Sequence, residues 1–396
     1  MLSRKKIVIG LSIIVILLSA FGAYLYLKKK AHKRHVKIGV VLPLSGDFET
    51  YGKLGVQGAK MAVDEINKSG GVLNGRRMEL IIEDNKTDPN IAVRQMRKLI
   101  QEDDVIAVMG PVSSTARDAM ARVARQFKTP LLYGISYEGN RYDRYLFCYS
   151  PIPDHVITPL VPFMAENYGP TFYIFGYDYV WPHEMTEAIK REVKKIDGKI
   201  SGVEFTPFGI KDFSPTLKKI RESGADVLML ILPGPDGFRF IRQFNESGLR
   251  KHVKIVAIAA EETYLQTLPP EDLEGIITNV HFLSSLESKE AKSFVARQKK
   301  MFGDNTVVTY STESHYGLIK LLQKAIEKAG TVDKEKIIDA MEKLKIVVGN
   351  GSVTMREDHH MNLNMVISEF TAGKLVEKKN IGLVIPENQK KLDSDR

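Results

Sequence analysis

VKIGVVLPLSGDFETYGKLGVQGAKMAVDEINKSGGVLNGRRMELIIEDNKTDP (36–89) sets the fold. Its first seven residues, VKIGVVL (36–42), form a short β-branched run, which reads as a strand. Tyr51–Asn67 is amphipathic and helical, and Ser69-Gly70-Gly71 ends it. MELIIED (78–84) is a second strand, and Pro89–Gln101 a second helix. Strand, helix, strand in this order implies a parallel pair joined by a crossover helix.

The alternation continues outward. VIAVMG (105–110) and PLLYG (130–134) are strands around a helix over Ser114–Phe127, and LFCYS holds Cys148 in a further strand. After Asp154 the pattern restarts. Strands are expected at 172–178, 199–205, 225–232, 254–260 and 275–283, with helices at His183–Lys195, Ser214–Ser223 and Gly237–Ser247. Three helical stretches follow, Ser288–Phe302, Tyr310–Ala329 and Lys334–Leu344. GSVTM (351–355) and MVISEFTAGKLVEK (365–378) read as terminal strands, with a hairpin turn at Ala372-Gly373. The reading is two α/β lobes and an unstructured tail from Glu387.

The 396 residues carry a formal net charge of +9, which by itself suggests a nucleic-acid partner. Its location removes that suggestion. Residues 1–35 hold eight Lys and Arg and no acid, leaving 49 basic residues against 48 acidic ones in the rest. Between the two basic clusters, Ile7–Leu27 is an uncharged apolar run. As a helix it would span ~31 Å, the thickness of a bilayer core. It reads either as a signal peptide, cleaved near Ala20-Phe21-Gly22, or as a retained single-pass anchor. Its length favours the anchor, and the absence of a following cysteine excludes lipid attachment there. The flank after Leu27 is the more basic one, so a positive-inside count alone would keep the main domain in the cytoplasm. One cysteine excludes an internal disulfide framework and a cysteine-based metal site.

Ligands of open parallel sheets bind beyond the carboxyl ends of the strands. The corresponding loops are Pro43–Tyr51, Pro111–Thr115, Gly134–Gly139, Tyr177–Pro182, Pro233–Asp236 and Ala260–Thr263. They are rich in hydroxyls, aromatics and glycine and contain no Arg or Lys, which argues against a phosphate or nucleotide site.

At these loops the chain resembles the periplasmic binding proteins of the branched-chain amino acid type, which serve ABC importers. The stretch 36–89 carries the resemblance, with IAVMGPVSSTARDAM (106–120) and DYVWP (178–182). PLLYGISYEGN (130–140), FGYDYVWPHE (175–184) and AEETYL (260–265) are similar to the branch that binds urea and short-chain amides. The resemblance spans about residues 36–385. It implies two α/β lobes joined by three crossovers, a periplasmic binding protein type I fold with ligand in the cleft. The lobes would be discontinuous, 36–153 plus 284–349 and 154–283 plus 350–385, followed by a tail over 386–396. It also implies an extracytoplasmic binding domain that hands its solute to an ABC transporter permease.

The residue types agree with a small polar ligand held by neutral hydrogen bonds. Ser113 and Ser114 open a helix, where hydroxyls and first-turn N–H groups can hold a carboxylate or carbonyl; serine also favours that place as a cap. The resemblance makes this serine position the holder of the ligand's polar head. It adds Gly134 and Ser136 as a second contact of the first lobe, where turn chemistry alone would also explain them. It places Tyr51 in the cleft and Tyr137 near it, with Glu138 positioning the loop. In the second lobe Tyr179 is the aromatic expected to cover the ligand, and Trp181 a reporter of closure. Glu261, rather than Glu262, is expected to pair with a ligand ammonium or accept from an amide; a charge-assisted bond of this kind is worth about 1.5–3 kcal/mol.

No HExxH, P-loop or GxSxG motif occurs, and Asp358-His359-His360 reads as a solvated turn. No cofactor, metal, nucleic acid or catalytic set is expected. The ligand stays open among branched-chain or other amino acids, urea and short-chain amides. A cytoplasmic or membrane-tethered sensor of the amide-regulator type, acting through a partner, is the alternative to the transport receptor.

Overall fold

The computed structural model describes residues 35–390. The apolar segment Ile7–Leu27 lies outside the described residues. Among those described, no helix is long and apolar enough to cross a membrane.

Two sheets organise the chain. The first is five-stranded, in the order β2 (Arg77–Asp84), β1 (His35–Leu42), β3 (Ala107–Met109), β4 (Leu131–Tyr133), β5 (Leu146–Cys148), and every pairing is parallel. Helices α1 (Glu49–Lys68), α2 (Pro89–Gln101) and α3 (Ser114–Phe127) are its crossovers. The second sheet has nine strands. β6 (Thr171–Tyr177), β7 (Lys199–Thr206), β8 (Val227–Ile231), β9 (Lys254–Ala257) and β10 (Ile277–Val280) pair in parallel, in the order β10-β9-β8-β6-β7. β13 (Met361–Thr371) joins β10 antiparallel, β14 (Lys374–Val384) pairs with β13, and β12 (Gly351–Met355) and β11 (Lys345–Val348) extend the other end. The hairpin turns at Ala372 and Gly373, both at positive φ.

Helices α4 (Pro153–Tyr168), α5 (Val180–Lys195), α6 (Ser214–Glu222) and α7 (Pro235–Glu246), with the single turns α8 (Tyr264–Thr267) and α9 (Pro270–Leu273), belong to the stretch of chain that builds the second sheet. α10 (Lys289–Phe302), α11 (Tyr310–Ala329) and α12 (Lys334–Met341) follow, and α10 and α11 pack on α1. Glycine makes the α1–α11 contact possible: a Cβ at Gly58 would fall 2.1 Å from the Thr312 carbonyl oxygen.

The chain passes between the sheets three times, after β5, after β10 and before β11. The passages after β5 and after β10 meet the β11–β12 turn at Glu313 of α11, which is fully buried. Glu313 Oε1 accepts from the Tyr149 hydroxyl (3.1 Å) and from the Asn350 N–H (2.9 Å), and Oε2 lies 3.2 Å from His281 Nε2. One carboxylate thus joins two of the passages to the turn between β11 and β12.

Helix α4 carries prolines 153, 159 and 162, and Pro153 occupies the first turn where no N–H is needed. Two local readings are corrected. The Asp358-His359-His360 turn is buried rather than solvated. Its histidines point apart: His359 stacks on Phe147 at 3.9 Å, while His360 bonds the Tyr137 hydroxyl. The tail from Glu387 is docked as far as Lys390. Glu387 N donates to Asp154 Oδ2 (2.7 Å), and buried Gln389 accepts from Asn140 N (2.6 Å) and donates through its own N–H to Asp358 Oδ2 (3.0 Å).

Candidate ligand site

Between the carboxyl ends of the two sheets lies a small cavity. Phe48 and Tyr51 (after β1), Val112 to Ser114 (after β3), and Ile135 and Ser136 (after β4) form its first-sheet wall. Tyr179, Trp181, Pro233 and Ala259 (after β6, β8 and β9) form the opposite wall, and Tyr310 closes it from α11.

On the first wall Ser113 is the N-cap of α3, its Oγ accepting from Ala116 N at 3.3 Å. Its O–H remains free to donate, beside the first-turn N–H groups that no helix satisfies internally. Ser114 donates its hydroxyl to Glu138 Oε2 (2.8 Å), and Glu138 Oε1 pairs with Arg117 Nη2 (2.6 Å). Arg117 is fully buried and lies over the Tyr137 ring, 4.4 Å from its centroid. The Arg117–Glu138 pair therefore fastens the start of α3 to the 134–140 loop, so that Ser113, Ser114 and Ser136 face one space. Ser136 Oγ donates to the Pro151 carbonyl (3.0 Å), which leaves its lone pairs as acceptors.

The second wall is aromatic. Tyr179 stacks on Phe208 and lies 6.5 Å from Trp181, ring centre to ring centre. Trp181 Nε1 is buried and has no hydrogen-bond partner among the described residues, a donor on the cavity wall. Ala259 holds φ 65°, a left-handed conformation rare for a residue with a Cβ, and lies on the same wall. Such strain clusters at active sites, ligand clamps and switch regions.

Two acids lie behind this wall. Burial, then the adjacent charge of Glu262, pushes the Glu261 carboxyl up to about 8, against hydroxyl groups of Thr309 and Thr263. Glu262 is pushed up to about 7 by burial, although the Ser284 N–H bonds its carboxylate. Glu261 Oε2 is unpartnered among the described residues, and the carboxyl is close enough to Tyr51 and Tyr310 to perturb both hydroxyls.

The structure brings Tyr51, Ser113, Ser114, Ser136 and Tyr179 together on the cavity wall. Gly134, Tyr137 and Glu261 are not on it. A Cβ at Gly134 would meet His315 Cε1 at 2.8 Å, so this glycine makes room for a buried ring. Tyr137 is fully buried between Arg117 and His360. Sequence reasoning missed Phe48, Val112, Ile135, Pro233, Ala259 and Tyr310 as wall residues. All but Tyr310 sit within or beside the loops after strands, whereas Tyr310 reaches the cavity only because α11 packs on α1.

A cavity between two α/β lobes, with a capped helix end on one side and aromatics on the other, defines a solute-binding protein. The chain belongs to the periplasmic binding protein family, whose model matches residues 35–374. Among curated relatives, the leucine-, isoleucine-, valine-, threonine- and alanine-binding protein of Pseudomonas aeruginosa is 26% identical over 321 residues, covering 77% of this chain and 82% of that one. A Leu/Ile/Val-binding protein homolog of Brucella abortus is 23% identical, over 89% of this chain and 92% of its own length. Two solved structures share the fold. A branched-chain amino acid transporter substrate-binding protein of Streptococcus pneumoniae, in complex with isoleucine, gives a TM-score of 0.79 at 22% identity, covering 89% of this chain and 100% of that one. An ABC transporter solute-binding protein of Rhodopseudomonas palustris, in complex with 3,4-dihydroxybenzoic acid, gives 0.81 at 23% identity, covering 89% and 99%. These relatives are solute-binding proteins rather than enzymes.

Proposed function

We propose that this chain is the substrate-binding component of an ABC importer and captures a small polar solute between its lobes by hinge closure. The observation that carries the reading is the cavity itself. The capped end of α3 and three serines face the unpartnered Trp181 N–H and the Tyr179 ring across it. This hydroxyl and aromatic lining suits a small polar solute such as an amino acid, urea, a short amide or a small aromatic acid. The wall carries no cation and no catalytic set, which favours binding and release over chemistry.

In this reading the lobes are 36–153 plus 284–349 and 154–283 plus 350–385, and the three passages between the sheets are the hinge. Tyr51, Ser113, Ser114, Gly134, Ser136, Tyr137, Tyr179 and Glu261 make up the ligand site, Gly134 and Tyr137 by shaping the wall from behind. The segment 1–35 tethers the protein to the membrane, with the binding domain outside the cytoplasm and an ABC permease as its partner.

A thermal-shift screen of the full chain in detergent, against leucine, isoleucine, alanine, urea, acetamide and benzoate, tests the reading, because a ligand of the native state raises Tm by mass action. Stabilisation by at least one is expected, and its loss in the Ser113→Ala/Tyr179→Ala double variant. Protease added outside intact cells is expected to digest the domain. Protection would instead favour a cytoplasmic sensor.

A further inference from the structure

Behind the ligand cavity lies a second, smaller chamber with room for about one water-sized group. The two share Ser136, Ala259 and Tyr310, so they adjoin across one wall, at the strained Ala259. The far side of the chamber is β10 and the passage after it, contributing Asn279 and His281. Both are buried, at 3% and 0% exposure.

Their hydrogen bonds fix what each presents. Asn279 Nδ2 donates to the carbonyls of His155 (3.2 Å) and Val156 (2.8 Å), which uses both donors and settles the amide's orientation. Its Oδ1, an acceptor, has no partner among the described residues. His281 Nε2 faces the Glu313 carboxylate (3.2 Å) and Ser314 Oγ (3.2 Å), so the proton of the neutral ring belongs on Nε2. Nδ1 then carries the lone pair, and it too has no partner among the described residues. Ser136 has already spent its proton on Pro151. Three side chains lining the chamber thus offer acceptors.

We propose that this chamber is a second subsite, which takes an N–H-bearing end of the solute, an amide, ureido or amine nitrogen, on Asn279 Oδ1 and His281 Nδ1. The inference rests on the solute-binding reading above and narrows it: the solute carries an acceptor at the α3 end and an N–H donor at the other. Because the second nitrogen of His281 holds Glu313, a donor on Nδ1 also fixes the ring that joins the passage after β10 to the hinge.

Two probes of matched shape test it, 4-aminobenzoate and 4-methylbenzoate, which differ in an N–H donor against a methyl group. Their affinities for the full chain in detergent are measured by calorimetry, with leucine and urea alongside. The amine is expected to bind at least about tenfold tighter, the factor that separates a satisfied from an unsatisfied buried acceptor. In His281→Phe and in Asn279→Leu the ratio of the two affinities is expected to shrink toward one, whatever happens to each affinity alone. Equal affinities in the unaltered protein overturn the subsite, and so does a preference that survives in both variants. Should leucine or urea bind and neither benzoate do so, the subsite falls and the solute-binding reading stands. Should none of the four bind, the reading it rests on falls with it. The unaltered protein alone decides the first comparison, whether or not the variants fold.

Discussion

Glu261 titrates near neutrality because burial removes water from its carboxylate and Glu262 stands beside it. Its folded pKa lies above the unfolded value near 4.5, so its contribution to stability is complete below pH 4.5 and is lost as pH rises through about 8. Glu262, at about 7, acts in the same sense. Tm is therefore expected to fall between pH 5 and pH 8, and Glu261→Gln to flatten the fall in a melting series over that range. An unchanged slope would contradict the assignment. A ligand ammonium near Glu261 would favour the carboxylate, so such a ligand should release close to one proton on binding at pH 7. Calorimetry in buffers of different ionisation enthalpy measures this, and a benzoate should release none. Arg117 gives a stability test of its own. Glu138→Ala leaves a guanidinium buried without its main partner, at a cost of about 3–5 kcal/mol in urea denaturation. At this scale the loops after the strands were legible because hydroxyl, aromatic and glycine residues cluster there. The chamber acceptors were not: Asn279 and His281 lie in an ordinary apolar strand run, and only the three-dimensional bonding of their other atoms shows which atoms remain unpaired. The buried His359 and His360 were read as solvated because polar sequence gives no sign of the Phe147 and Tyr137 rings that cover them.

Most elements could be read because each combines a periodic pattern with a stop signal. α2 and α3 have the expected bounds, Pro89–Gln101 and Ser114–Phe127, with Asp88 and Ser113 as side-chain caps. β11 escaped because four residues carry too little pattern. The α1–α11 contact gives a direct test. Gly58→Ala puts a methyl group against the Thr312 carbonyl and is expected to lower stability by about 1–3 kcal/mol, with a lower denaturation midpoint. Neutral behaviour would mean that the helices are not in such close approach.

For the whole molecule, the sequence placed the basic excess in residues 1–35 and left a nearly neutral body, which matches a cavity wall without cations. It did not show how two passages and the β11–β12 turn converge on one buried carboxylate, since Tyr149, His281, Glu313 and Asn350 are spread over 200 residues of chain. Hinge closure should reduce the radius of gyration in small-angle scattering when a stabilising solute is added, and shift the fluorescence of Trp181, the single tryptophan, as its wall is covered. The most direct test of the central claim is calorimetric titration of the full chain in detergent with the solute that stabilises it most. The account predicts saturable binding of one solute per chain, abolished by Ser113→Ala/Tyr179→Ala without loss of fold. Absence of binding by every small polar solute, or binding that the double variant leaves untouched, would contradict it.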